Sequence, residues 1–277
     1  VFIKRTNAAS DWVVQDSVRG WSATKKLSCS SNQHENDTDS HSSYGITDPQ
    51  WGYINGQSAN QLKLTIGSGT GDQVNLNNAP YVAYSWKAGG NKNTFNVDDK
   101  GYATAAAAGL TAGSVTPTGA SVGTKQGFSI IKWTAPNPQN NSATIPHGLT
   151  QKPDFWAIKS LDSARDWICY TQQIDGSLDF MHFNNNDAKA DSSATAPTAT
   201  TFGVYGNDIN TAGEEQIAYL WHSIPGIQKF GYYIGNGNAD GPYIDLGFKP
   251  ALLVYKKTSG NENWQTYDNV QNLWEPH

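Results

Sequence analysis

Three copies of one short pattern constrain this chain more than any other feature. An apolar run ends in lysine and a tryptophan follows eight residues later: Val1 to Lys4 with Trp12, Trp156 to Lys159 with Trp167, and Leu253 to Lys256 with Trp264. A second pattern, Ala-Tyr-x-Trp, closes the runs Val82 to Trp86 and Ile217 to Trp221. A third pairs Gln126 to Ile131 with Gln228 to Tyr233. Phe128 and Phe230 lie 102 residues apart, too far for one turn of a solenoid and the right span for a small domain. The chain therefore reads as an array: a first copy over 1–88, a connector over 89–125, a complete copy over 126–226 and the start of a third over 227–277. The first copy lacks the leading Phe-containing segment and the third stops after its Lys-to-Trp segment. Both ends are expected to fall inside a copy, as in a piece of a longer polypeptide or a processed product.

Composition points to strands. Charged residues make up 16% of the chain, aromatics 12%, and there are 27 glycines and ten tryptophans. Such a chain suits many short strands joined by polar turns. The Ala-rich run Thr104 to Leu110 is short and carries Gly109, so it is expected to form a turn or two of helix at most. No apolar span approaches the roughly 20 residues of a membrane helix, so no membrane insertion is expected. The net charge of −5 and the pI near 5.6 leave no basic stripe to neutralise phosphates, which argues against a nucleic-acid partner. Cys29 and Cys169 lie at non-equivalent places in two copies, so they read as free, buried thiols.

Alternation at period 2 in Phe128-Ile130, Trp156-Ile158 and Ile217-Tyr219-Trp221, with turn clusters between, predicts tandem antiparallel β-sandwich domains. The five tryptophans at repeated positions, Trp12, Trp86, Trp167, Trp221 and Trp264, are expected as core anchors bridging two sheets. Trp51, Tyr53 and Trp133 lie outside the repeated positions and are the candidates for exposed, glycan-stacking contacts.

The stretch Thr94 to Val97, Gly101 to Leu110 and Thr116 to Val122 resembles the linker of a repeat module found in structural proteins of tailed phages, chiefly marine ones. Gly127 to Ile131 with Pro146 to Leu149, Ala157 to Lys159 with Asp166-Trp167, and Phe230 to Tyr233 running into Gly235 to Pro242 are similar to the same modules. The resemblance covers nearly the whole chain, and residues 29–80 match it least. It implies a virion or other extracellular structural role and supplies no active site.

The search for chemistry finds little that competes. There is no Gly-x-Ser-x-Gly elbow, no His-Glu-x-x-His, no phosphate loop and no Cys-x-x-Cys. His34 and His41 flank the acidic run Glu35 to Asp39, which reads as a solvated turn, and Asn236 to Gly241 reads as a hairpin turn since Gly247 stands where a calcium loop needs glutamate. Glu214 and Glu215 are adjacent, so on a strand they face opposite ways, the wrong arrangement for a glycosidase pair. No catalytic residue, cofactor or metal is expected. The leading expectation is a structural module forming a homo-oligomer or polymer; the alternatives are an adhesin for host-surface glycan and a polysaccharide hydrolase.

Overall fold

The computed structural model describes residues 1–35, 52–58, 60–67, 73–136 and 142–269. Apart from one 3-10 turn at Ala23–Lys25, its regular structure is β. The first copy contributes β1 (Phe2–Arg5), β2 (Val13–Val14), β3 (Tyr53–Ser58), β4 (Gln61–Thr65) and β5 (Tyr81–Tyr84). The next segment carries β6 (Phe95–Val97), β7 (Lys100–Tyr102) and β8 (Gly119–Gly123). The second copy holds β9 (Phe128–Thr134), β10 (Ala143–Pro146), β11 (Phe155–Ser160), β12 (Ile168–Thr171), β13 (Asp179–His182), β14 (Ala190–Asp191), β15 (Thr201–Val204) and β16 (Glu215–Trp221). The third adds β17 (Leu252–Tyr255) and β18 (Gln265–Asp268).

The Lys-to-Trp pattern folds into one hairpin three times over. Ala157 pairs with Cys169 and Ile158 with Ile168. At the equivalent positions Phe2 pairs with Val14 and Ile3 with Val13, and Val254 pairs with Thr266 and Tyr255 with Gln265. The Ala-Tyr-x-Trp strand joins in matching register in both copies that have it, with Ala157 opposite Tyr219 and Phe2 opposite Tyr84. The lysine explains the spacing. Buried Lys159 donates from Nζ to the carbonyls of Ser160 at 3.0 Å and Ser163 at 3.3 Å, tying down the loop that separates it from Trp167. Lys256 does the same to the Glu262 carbonyl, and the Lys4 ammonium lies over Trp12, 5.7 Å from its centroid.

The largest sheet has nine strands in the order β14-β13-β12-β11-β16-β9-β8-β6-β7. Its inner strands alternate between two apolar faces, so both faces are buried. Trp133, Trp156, Ile158, Tyr170 and Leu220 point to one core, where Phe202 and Val204 of the β10-β15 pair cover them. Phe128, Ala157, Trp167, Tyr219 and Trp221 point to the other, where the first and third copies supply the cover.

Three expectations change. The segment 89–125 reads as a connector, yet it extends the large sheet by three strands and buries Phe95, Leu110, Ala120 and Val122 in the first core. Gly89 makes the join close: a Cβ there would sit 2.4 Å from the Val122 carbonyl, and its own carbonyl accepts the Asp99 N–H. The antiparallel rule is broken once, since β6 runs parallel to β8. Trp133, expected at the surface, is fully buried against Phe202 at 5.6 Å, because its place on β9 puts it on the same face as Ile131. The Ala-rich run makes a single turn, capped by the Thr104 hydroxyl on the Ala107 N–H.

Trp133→Ala is expected to cost about 3–5 kcal/mol, the range for truncating a buried tryptophan. Urea unfolding monitored by far-UV circular dichroism measures it. An unchanged midpoint would contradict this placement.

Candidate functional site

The five repeated tryptophans converge on one place. Trp167 and Trp221 are buried, and Trp12, Trp86 and Trp264 pack against the same cluster. It is not the interior of the complete copy, whose own core is filled by Trp133 and Trp156. It is the junction of all three. Trp86 meets Trp221 at 5.8 Å edge to face, Phe2 meets Tyr219 at 6.3 Å, and Trp264 meets Phe155 at 6.0 Å and Phe183 at 5.2 Å.

The indoles of the repeated tryptophans bond from one copy to the one before it. The Trp167 indole donates to the Ser28 carbonyl of the first copy at 2.7 Å, and the Trp264 indole donates to the His182 carbonyl of the second at 2.9 Å. Ser28 and His182 are equivalent, since Leu27 bridges Val14 as Met181 pairs with Cys169. Backbone anchoring repeats as well: the Trp167 N–H donates to Asn184 Oδ1 and the Trp12 N–H to Ser30 Oγ. A second hand-off uses the tyrosine of Ala-Tyr-x-Trp. Tyr219 donates to Asp16 of the first copy at 2.7 Å, and Tyr84 donates to Asp268 of the third at 2.8 Å. Both aspartates lie four residues after the repeated tryptophan. The second copy thus grips the first, the third grips the second, and the first grips the third, which closes a ring.

The junction of copies one and two also buries charge. Arg19 donates to Asp16 at 2.5 Å, to Glu35 at 2.9 Å, to the carbonyls of Val14 and Lys25, and to the Tyr219 hydroxyl at 3.2 Å. Burial alone would raise the Asp16 carboxyl, but the Arg19 guanidinium and the Tyr219 hydroxyl outweigh it and hold the group below the usual carboxylate range. Burial likewise opposes the charge on Arg19, and Asp16, Tyr219 and Glu35 more than restore it. Every donor of this guanidinium nitrogen set that is named here is spent on structure.

Between copies one and three the ring leaves a cleft of about 300 Å³, lined among others by Lys4, Trp12, Tyr84, Trp264, Thr266 and Asp268. Elsewhere, on the outer hairpin of the second copy, Asp175, Asp179 and Asp191 converge, but the Lys189 ammonium sits among them at 2.7, 2.6 and 3.5 Å. The ammonium occupies the space among the three carboxylates and offsets one of their charges from within the chain. Glu214 accepts from Ser160, Ser163 and Arg165 while Glu215 pairs with Lys132, so the two adjacent carboxylates are indeed directed to different partners. Asn236 forms an Asx turn on the Asn238 N–H with no strand on either side among the described residues.

Of the expected surface contacts, Trp51 lies outside the described residues, Tyr53 is half-buried opposite Thr65 in the β3-β4 hairpin, and Trp133 is in the core. The structure does not bring Tyr53 and Trp133 together. The residues that sequence reading missed are Asp16, Arg19, Tyr84, Tyr219 and Asp268. The aspartate four residues after Trp12 and Trp264 was a visible signal for two of them.

A family model described as "Domain of unknown function (DUF7483)" matches residues 1–275. The chain belongs to this family. One DUF7483 model spans all three copies, in keeping with copies that share a core. No curated protein and no solved structure matches the chain.

In this DUF7483 chain the Asp16 contribution follows a definite pH course. A carboxyl whose folded pKa is depressed stabilises fully above its unfolded value of about 3.9 and loses that stabilisation as pH falls through the lower folded value. Arg19→Met is expected to cost about 3–5 kcal/mol at neutral pH, because it strands buried carboxylates, and to flatten the fall in stability below pH 4. Denaturant midpoints at pH 7 and pH 3 for both chains check this. Equal midpoints at pH 7 would contradict it.

Proposed function

We propose that this chain is a non-enzymatic structural module, of tandem β-sandwich character, in a virion appendage or other extracellular filament. The observation that carries the reading is the number of large apolar side chains that the third copy exposes. Tyr232, Tyr233, Ile234, Tyr243, Leu253 and Val254 are all exposed, Tyr243 to 97% and Ile234 to 75%. Exposed apolar side chains in such number suit a protein contact. The low charge content and the resemblance to phage structural repeats support the same reading. So does the commitment of the buried Asp16, Arg19 and Tyr219 to contacts between copies, with Glu35 held by Arg19 and Lys25 within the first copy.

A second reading rests on the cleft between copies one and three. Aromatic faces at Trp12, Tyr84 and Trp264 beside Lys4 and Asp268 suit a sugar, which stacks on rings and bonds to polar groups at its edge. Under it, the chain would be an adhesin for a surface glycan.

Sedimentation of the purified chain over a range of concentrations separates the two. The structural reading expects self-association that grows with concentration and no cleavage of polysaccharide. A chain that stays monomeric and binds a glycan array through Trp12, with binding lost in Trp12→Ala, would replace it with the adhesin.

A further inference from the structure

The second copy contains a pairing that the first and third each show by halves. There β16 is bonded on both edges, to β11 on one side and to β9 on the other. Its equivalent in the first copy, β5, is bonded on one edge only, to β1, and no described strand lies on the other. The counterpart of β9 in the third copy is the segment from Phe230. Phe230 is anchored on its own chain, its N–H bonded to Ser223 Oγ and its ring stacked on Phe155 at 6.0 Å. Residues 231–234 then leave the body without joining a sheet, and Tyr232, Tyr233 and Ile234 are 47%, 46% and 75% exposed.

Resting on the structural reading above, we propose that Gly231–Ile234 of one chain adds as an antiparallel strand along Val82–Ser85 of a second copy of the chain, on the edge of β5 that no described strand occupies. Strand addition suits both partners: an open edge offers unpaired N–H and C=O groups, and an extended segment satisfies them while alternate side chains set the fit. The register is given by the chain itself. In the second copy Leu220 lies opposite Ser129, Tyr219 opposite Ile130, Ala218 opposite Ile131 and Ile217 opposite Lys132. Transposed, Ser85 faces Gly231, Tyr84 faces Tyr232, Ala83 faces Tyr233 and Val82 faces Ile234. Tyr232 would then stand beside Tyr84, extending the aromatic surface at the cleft, and bury a ring that is now half exposed. The donor belongs to the third copy and the acceptor to the first, so the contact is head-to-tail. Repeated, it gives a fibre or closes a ring of chains.

The test mixes two variants that each add one cysteine, Ala83→Cys and Tyr233→Cys. Both positions are exposed, and the native Cys29 and Cys169 are buried. Mild oxidation of the mixture should give a disulfide between the two variants, seen on a non-reducing gel and located by peptide mass spectrometry. Gly231→Pro and Tyr232→Pro provide the second arm. Successive N–H groups of a strand point to opposite sides, so at least one proline removes a bond to the acceptor edge. That variant should lose association in sedimentation while keeping its melting temperature. Association that persists in both proline variants, with no disulfide in the mixture, overturns this site and leaves the structural reading standing. A disulfide formed within one chain of the Ala83→Cys, Tyr233→Cys double variant, with no link between chains, overturns it too. A wild-type chain that stays monomeric at every concentration overturns both.

Discussion

The contact on which the rest of the structure depends is the aromatic junction where the three copies meet. It is where the copies bury their repeated rings against one another, beside the separate core of the second copy. Magnitudes separate its parts. A fully buried large apolar side chain contributes about 1.5–3 kcal/mol from area alone, and a well-placed aromatic pair adds roughly 0.5–1.5 kcal/mol. A neutral hydrogen bond contributes about 1 kcal/mol net. With Trp167, Trp221, Tyr219 and Phe128 buried and Trp12, Trp86 and Trp264 packed against them, the rings supply the larger share of the stabilisation. The indole and tyrosine bonds fix the direction and register in which the copies meet.

The same junction explains why charge is buried where it is. Asp16, Arg19 and Tyr219 lie at the border of the first two copies, and the network they form is satisfied only when both are present. A mispacked arrangement would leave a carboxylate and a guanidinium without partners, at a cost of several kcal/mol. The network thus adds specificity to an interface whose stability comes from rings. It also ties the segment around Glu35 to the body through Arg19 and Lys25.

Much of this was legible in the sequence, though for partly different reasons. The all-β class followed from composition, and the three hairpins followed from the Lys-to-Trp spacing, in which the lysine holds its own loop by backbone carbonyls at Lys159 and Lys256 and lies over the tryptophan ring at Lys4. The repeated tryptophans anchor a core as expected, but that core lies between the copies. A large side chain repeated in every copy suggests a core inside each copy, yet here a repeated residue faces a repeated neighbour. Trp133 and Trp156, which no second copy matches, fill the interior instead. Trp133 sits on a strand buried on both faces, where alternation between polar and apolar residues gives no signal of exposure. The joining of 89–125 to the sheet depended on a parallel strand pair and on close approach at Gly89, neither of which local periodicity can reveal. The paired partners of Tyr84 and Tyr219 lie 184 and 203 residues away in sequence, beyond the reach of any local pattern.

The central claim is that the copies form one unit through this junction. Native-state hydrogen exchange on the whole chain, comparing wild type with Trp167→Ala, tests it most directly. The account predicts that protection falls in the first copy as well, at the paired amides of Val14 and Leu27, because the substitution removes both the ring and the bond to Ser28. Faster exchange confined to the β11-β12 hairpin, with Val14 and Leu27 protected as before, would contradict it.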